Sequence, residues 1–463
     1  MSTVVVVGAG IAAHRFVERL RHHGHRGEVT VLGAEPVSAY HRVLLPAVLD
    51  GTLPPAALRL PALPGATVVR TGTEAVRIDR RRRLVRTADG AAHRYDHLVL
   101  ATGAGPVLPD VPGLRAADGT PARGVTGLRT LADCTRVRGR VVVLGGGVLG
   151  VEAALALRRA GRPVALVHRH PRLMNRQLDS TAAGLLAGHL ADRGVQLHLD
   201  RSARAHAPGS LTLDDGRVLL AGTVLVCAGT RPRAGIARTA GLAVGRGVLV
   251  DDSLTTEDPR IHAIGDCAEH RDQMPALATA AWEQADVLAR LLTNRPARYH
   301  PGRPVTRVKA PGLDLAVYGT DGAVPEADET ITLTDPARRR YARLTLQGHR
   351  LTGAVLVGYP QAIAALGPLW DRDVPVPSDV PAFLHGTVPG YRDTEDLPDD
   401  AVVCHCNTVT RRTLADSWSA GARSVAALAG ATRATTGCGG CADAVRDLCA
   451  GLHSAARPAG ADR

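Results

Sequence analysis

The chain has 463 residues, 45% of them hydrophobic and 3% aromatic, with a formal net charge of +12. That length exceeds one compact domain and supplies several apolar cores, while the scarcity of aromatics argues against base-stacking platforms and a nucleic-acid partner. The charge is an arginine excess, because Lys309 is the only lysine, and it reads either as compositional bias or as a basic face for an acidic redox partner.

The chain enters a strand at Thr3-Val4-Val5-Val6-Val7, with no basic leader and no cleavage-site pattern. The longest apolar run, 141–157, is broken by Gly145-Gly146-Gly147, Gly150 and Glu152. It reads as strand, turn and helix rather than as a membrane span. Eight cysteines without a leader imply reduced thiols and a cytoplasmic protein. Cys134, Cys227, Cys267 and Cys449 are expected to pack as small apolar side chains.

The first strand runs into Gly8-Ala9-Gly10-Ile11-Ala12-Ala13. Gly8 permits a tight turn, Gly10 lets the backbone approach a pyrophosphate, and Ala13 lets helix and strand pack closely. The helix start offers N–H donors to phosphate. Glu35 follows the second strand, about one residue late for a ribose-binding acid; a surface glutamate is the alternative. The run Arg80-Arg81-Arg82-Arg83 reads as a solvated hairpin turn. Residues 1–115 close on Ala101-Thr102-Gly103, the crossing out of the first domain.

A second unit, 116–245, repeats strand, glycine turn, helix and strand, the mark of a duplicated dinucleotide domain. Its fingerprint Gly145-Gly146-Gly147-Val148-Leu149-Gly150 has Gly145, Gly147 and Gly150 in register. No acid ends its second strand. His168 and Arg169 stand there instead and could meet a 2′-phosphate; solvated basic residues beside bound NADH are the alternative. Residues 246–300 return to the first domain, with Gly265-Asp266 placing a carboxylate at a strand end. The second domain is therefore expected as an insertion in the first.

Residues 301–385 change character. Segments 307–318, 330–333, 341–346 and 351–357 alternate like antiparallel strands, and 361–369 looks helical, giving a small α+β domain. A Pro-, Asp- and Gly-rich linker spans 386–401. A cysteine module fills 402–452, and 453–463 is a small, polar tail. In the module, Cys404-His405-Cys406 is followed after thirty-one residues by Cys438-Gly439-Gly440-Cys441. Cys404, Cys406, Cys438 and Cys441 can converge on one metal centre, with glycine-loop amides aimed at sulfur. Structural zinc is the alternative, although C-x-C is less usual there. His405 is expected to be a neighbour rather than a ligand.

The two fingerprints, Ala101-Thr102-Gly103 and the 255–266 segment together resemble the flavoprotein reductases with two dinucleotide domains. The resemblance covers 1–300 and implies FAD at the first loop, NADH or NADPH at the second, and Asp266 near the flavin's ribityl chain. Disulfide reductase chemistry is excluded, since residues 1–133 hold no cysteine. Tyr40-His41-Arg42-Val43-Leu44-Leu45-Pro46 resembles the flavin-side Tyr-x-Arg-x-x-Leu-Ser stretch of nitrite reductase large subunits and ferredoxin-type reductases. Here Pro46 replaces the serine. Ala47 stands where many ferredoxin reductases carry lysine, which points to the nitrite/nitrate branch and makes Arg42 a flavin contact. Segment 403–452 resembles the bacterioferritin-associated-ferredoxin type of [2Fe–2S] domain.

End to end, the chain resembles the FAD/[2Fe–2S] electron-transfer subunits of assimilatory nitrate reductases and the N-terminal half of bacterial NAD(P)H nitrite reductase large subunits. The expected fold class is α/β: two Rossmann-like domains, a small α+β domain and a helical [2Fe–2S] domain. The expected path is NAD(P)H to FAD to [2Fe–2S] to a separate nitrate or nitrite reductase catalytic subunit, with no sirohaem region in this chain and no membrane partner. The resemblance implies that Glu152 helps orient the nicotinamide ring; Trp282 and Glu283 would lie near the flavin or simply pack. Another acceptor, such as a monooxygenase or a sirohaem protein, is the main alternative. An amine-oxidase subunit has no use for the second fingerprint, and a sensor would need a regulatory surface that the sequence does not show.

Overall fold

The computed structural model describes residues 2–274, 276–319, 327–385, 397–404, 409–435 and 441–455. The chain divides into two compact units. One comprises Met1–Gly139, Ala205–Gly209 and Ala221–Gly302; the other comprises Arg140–Arg204, Ser210–Leu220 and Arg303–Arg463.

The first unit is built on a parallel sheet in the spatial order Ile261–Ala263, His97–Leu100, Val4–Val7, Val29–Leu32, Thr67–Arg70. Taken from the far edge this is the 3-2-1-4-5 order of a dinucleotide-binding domain. The central strand is all valine and wholly buried, because layers cover both its faces. On one face the helix Ile11–His22 buries Ala13, Phe16, Val17 and Leu20 with Ala285 and Leu288 of the helix Ala278–Leu291. On the other, Val5, Val7, Leu98 and Leu100 meet Ile78 and Val85. Those two residues lie on the antiparallel meander Ala75–Asp79, Leu84–Thr87, Ala92–Arg94. The four-arginine run forms the meander's first turn, and Arg80 is not simply solvated: its Nε donates to Asp258 at 3.0 Å.

In the second unit, Val141–Leu144, Val164–His168 and Val195–Leu199 pair in parallel, with the helices Val148–Arg159 and Ser180–Asp192 between them in the chain. Five antiparallel strands follow in the order Val305–Arg307, Leu315–Tyr318, Arg350–Val357, Arg340–Gln347, Glu329–Asp335. The segment expected as one strand over 307–318 is two. Pro311-Gly312 turns the chain, with Gly312 at φ +75° and Leu313 N–H donating to the Ala310 carbonyl. The helix Pro360–Arg372 covers this sheet with Ile363, Leu366 and Trp370 and stops at left-handed Asp373. The C-terminal module pairs Val402–Cys404 with Val409–Thr410 and adds the helices Arg411–Ser419, Val425–Thr432 and Ala442–Ala455. Among the described residues no helix is long and apolar enough to cross a membrane.

Candidate functional site

Gly8 has φ +110°, and its amide donates to the Leu32 carbonyl at 2.8 Å. A Cβ on Gly8 would sit 2.1 Å from the Ala101 carbonyl oxygen and 3.1 Å from Thr102 N, so the Ala101-Thr102-Gly103 crossing packs directly on this turn. Thr102 Oγ1 and the Gly103 carbonyl in turn bond the Arg233 carbonyl and amide, at 2.6 and 2.8 Å. Gly10 is the N-cap of the first helix. That helix has no side-chain cap and no acid in its first turn, and a Cβ on Gly10 would find only Arg42 Nε, 3.9 Å away. Free amides on an open flank fit a pyrophosphate. The helices Leu131–Arg136, Ser180–Asp192, Arg411–Ser419 and Val425–Thr432 are capped by their own Thr, Asp or Ser, whereas Ala278–Leu291 and Pro360–Arg372 also lack a side-chain cap, so the glycine turn and open flank rather than the missing cap alone mark the site.

Beside this loop the predicted residues converge. Glu35 accepts from Tyr40 Oη at 2.7 Å and is ion-paired to Arg42. Arg42 also donates to Tyr40 Oη and to the Arg129 carbonyl, both at 2.9 Å. Arg129 completes the chain by donating to Asp266 at 2.8 Å. Burial, ahead of the charges around it, pushes the Tyr40 phenol up, so it remains a protonated donor. Gly265 approaches the fingerprint helix so closely that a Cβ would lie 3.0 Å from Ala12 Cβ, and its amide donates to buried Gln284 at 2.7 Å. Glu35, Arg42, Gly265 and Asp266 thus share one surround. The sequence reading missed Arg129 and Gln284 as parts of it. The available signal was Thr130-x-x-Asp133, a capping box that seats Arg129 at a helix start.

The second loop repeats the geometry. Gly145 has φ +121° and donates to the Val167 carbonyl at 2.8 Å. Gly147 is the N-cap, again with no side-chain cap or first-turn acid, and a Cβ there would meet nothing within 4 Å. Gly150 is buried inside the helix, and this open start also fits a dinucleotide phosphate. His168 is buried, its Nδ1 accepting from Gly146 N–H at 3.1 Å, while Arg169 is exposed. Glu152 is 4% exposed on the same helix. It accepts from the Lys309 amide at 2.7 Å, with Lys309 Nζ at 3.9 Å. Burial pushes this carboxyl up and Lys309 opposes the shift.

In the C-terminal module, Cys404 and Cys441 are buried in one core with Trp418, Leu428 and Cys449. Thr435 N–H donates to Cys441 Sγ at 3.2 Å, a bond suited to a ligating thiolate. With four cysteines as the donor set, this fits an iron–sulfur cluster. Cys406 and Cys438, as well as His405, lie outside the described residues.

Two family patterns match the chain. The pattern of the family described as pyridine nucleotide-disulphide oxidoreductase matches residues 2–285, and that of the BFD-like [2Fe-2S] binding domain matches 402–450. The chain is 30% identical over 96% of its length to the assimilatory nitrate reductase electron transfer subunit of Bacillus subtilis, covering 59% of that protein. It is 31% identical over 96% of its length to the nitrite reductase [NAD(P)H] large subunit of Klebsiella oxytoca, covering 48% of it. The chain therefore spans about half the length of these relatives. Putidaredoxin reductase, solved in covalent complex with putidaredoxin, superposes with a TM-score of 0.73 at 26% identity, over 83% of this chain and 99% of that one.

Proposed function

From the fact that this chain belongs to the pyridine nucleotide-disulphide oxidoreductase family and carries a BFD-like [2Fe-2S] domain, we propose that it is the electron-input part of an assimilatory nitrate or nitrite reductase. It takes electrons from NADH or NADPH and delivers them to a separate catalytic protein in the cytoplasm. When bound, FAD accepts the electron pair of a hydride and releases it singly, and the [2Fe–2S] cluster carries single electrons onward.

The chain's own residues do the rest. The two uncapped helix starts bind the nucleotides' phosphates. The Glu35–Arg42–Arg129–Asp266 chain places a carboxylate at each end of the first site, for the ribose and the ribityl hydroxyls. Glu152 orients the nicotinamide amide, with Lys309 holding its carboxylate in place. Cys404, Cys406, Cys438 and Cys441 hold the cluster, and the Thr435 amide tunes it through Cys441.

The observation that carries this reading is one chain combining two open glycine loops with a buried, amide-bonded cysteine sulfur in a four-cysteine module. The purified protein is expected to show flavin and broad iron–sulfur absorption, bleached by NADH or NADPH. Cys438→Ser should keep flavin bleaching and lose transfer to the acceptor. A colourless, zinc-containing protein would sink the proposal. The fold shared with putidaredoxin reductase supports a second reading, a reductase serving another acceptor such as a monooxygenase's carrier. Electron delivery to a nitrate or nitrite reductase but not to such a carrier decides between them.

A further inference from the structure

The segment 168–175 decides which nicotinamide nucleotide the second loop suits. Because His168 Nδ1 accepts from Gly146 N–H, its ring proton sits on Nε2, which faces Asn175 Oδ1 at 3.2 Å. Both ring nitrogens are used, and burial lowers the ring's basicity. A Cβ on Gly146 would lie 2.8 Å from His168 Cγ and 2.7 Å from Leu173 Cδ2, so the ring and Leu173 are packed beneath the loop. At the far end Met174 N–H donates to the Gly146 carbonyl at 2.8 Å. The segment is thus fastened to the glycine loop at both ends.

What the segment shows to solvent is positive. Arg169 and Arg172 are exposed on it, and Arg176 is exposed just beyond. Arg169 Nε contacts the His170 ring at 3.3 Å. No Asp or Glu occurs from 153 to 178. The next acid, Asp179, is engaged elsewhere: it caps Ala182 N–H, accepts from Tyr341 Oη at 2.7 Å and pairs with Arg343 at 3.2 Å. An acid at the strand end would bind a ribose 2′-hydroxyl and repel a 2′-phosphate. Here the strand end itself carries no acid, Asp200 meeting the segment from beyond the neighbouring strand through its amide, which donates to the His170 carbonyl at 3.1 Å, and exposed guanidinium forks, which match phosphate oxygens, stand on the segment instead.

We propose that the chain takes NADPH in preference to NADH, with Arg169 and Arg172 holding the 2′-phosphate and His168 serving as a strut that positions their segment rather than as a phosphate contact. This rests on the reading of the second loop as the nicotinamide site. Charge-assisted pairs to a phosphate correspond to roughly 10- to 100-fold in affinity.

Calorimetric titration of the FAD-loaded protein with NADP⁺, NAD⁺, 2′,5′-ADP and 5′-ADP tests it. NADP⁺ and 2′,5′-ADP should bind about 10- to 100-fold more tightly than their unphosphorylated partners. Arg169→Ala/Arg172→Ala should bring each ratio to about 1 by weakening NADP⁺ and 2′,5′-ADP; the single Arg172→Ala should lose part of it. Among the described residues neither arginine bonds a carboxylate, so these variants should melt with the parent protein. His168→Asn, which keeps an acceptor for Gly146 N–H, should leave the ratio within about 3-fold.

Equal binding of both nucleotides by the parent, or a ratio surviving the double variant, would overturn the proposal. Flavin bleaching separates it from the underlying reading. Bleaching by both nucleotides with equal binding removes the preference only, whereas bleaching by neither removes the nicotinamide site itself.

Discussion

The two glycine loops share a backbone and differ in where bulk and charge lie. In each, the first glycine has a strongly positive φ and donates to the neighbouring strand, and the last loop glycine caps an open helix. The first loop carries Ala9, and the strand end beside it is Gly33, where a Cβ would lie 2.7 Å from Ala9 Cβ. The second loop carries Gly146, and the strand end beside it is His168. Only one side chain fits each gap, and the two domains place it on opposite sides. Charge divides similarly. The first loop is flanked by alternating arginines and carboxylates, whereas beside the second the strand end and the segment after it carry exposed arginines and no Asp or Glu before Asp179. One backbone cradle thus suits two nucleotides without a change of fold.

Replacing Gly8 by Ala should break the first loop most severely. The backbone is strained for any L side chain and the new methyl meets the Ala101 carbonyl, so about 3–5 kcal/mol of stability and FAD retention should go together. Flavin content after gel filtration and a thermal melt check this.

The complementarity of bulk can be tested by moving it. Gly33→Ala should cost about 1–3 kcal/mol, and Ala9→Gly/Gly33→Ala should recover most of it. A double variant no better than the single would end the idea of a shared gap.

Glu152 offers a smaller contrast. Its folded carboxyl is raised above its ordinary range, so folding favours the protonated form and stability falls as pH rises above about 4.3. Glu152→Gln should therefore melt higher than the parent at pH 7–8 while reducing the flavin about 10-fold more slowly. Slower flavin reduction with no gain in melting temperature would mean that Lys309 fully compensates the buried charge.

The gentlest test is acid. Buried His262 in the first unit is held down to about 3, chiefly by burial, and His189 in the second to about 4. Both are neutral when folded and near 6.5 when unfolded, so their contribution is present above pH 6.5 and fades as pH falls toward those values. His262→Asn should flatten the acid limb of the stability profile. An unchanged limb would assign acid sensitivity to other groups.

Much of this was legible in one dimension. A glycine turn after an all-valine strand has few alternatives, since positive φ, a buried strand and a helix start impose those residue types locally. The cysteine spacing is equally local. Arg129 was not legible, because its partners Arg42 and Asp266 are 87 and 137 residues away. Nor was the 307–318 turn, where strand alternation masked Pro311-Gly312. His168 is the sharpest case. The sequence shows a basic residue at a ribose position, and it fits a phosphate contact equally well as a buried ring. Only the fold, by placing Gly146 N–H and Asn175 on its two nitrogens, turns it inward and leaves the charge to Arg169 and Arg172. Local backbone and ligand chemistry follow from residue type and spacing. Which way a polar side chain faces depends on neighbours that only tertiary packing supplies.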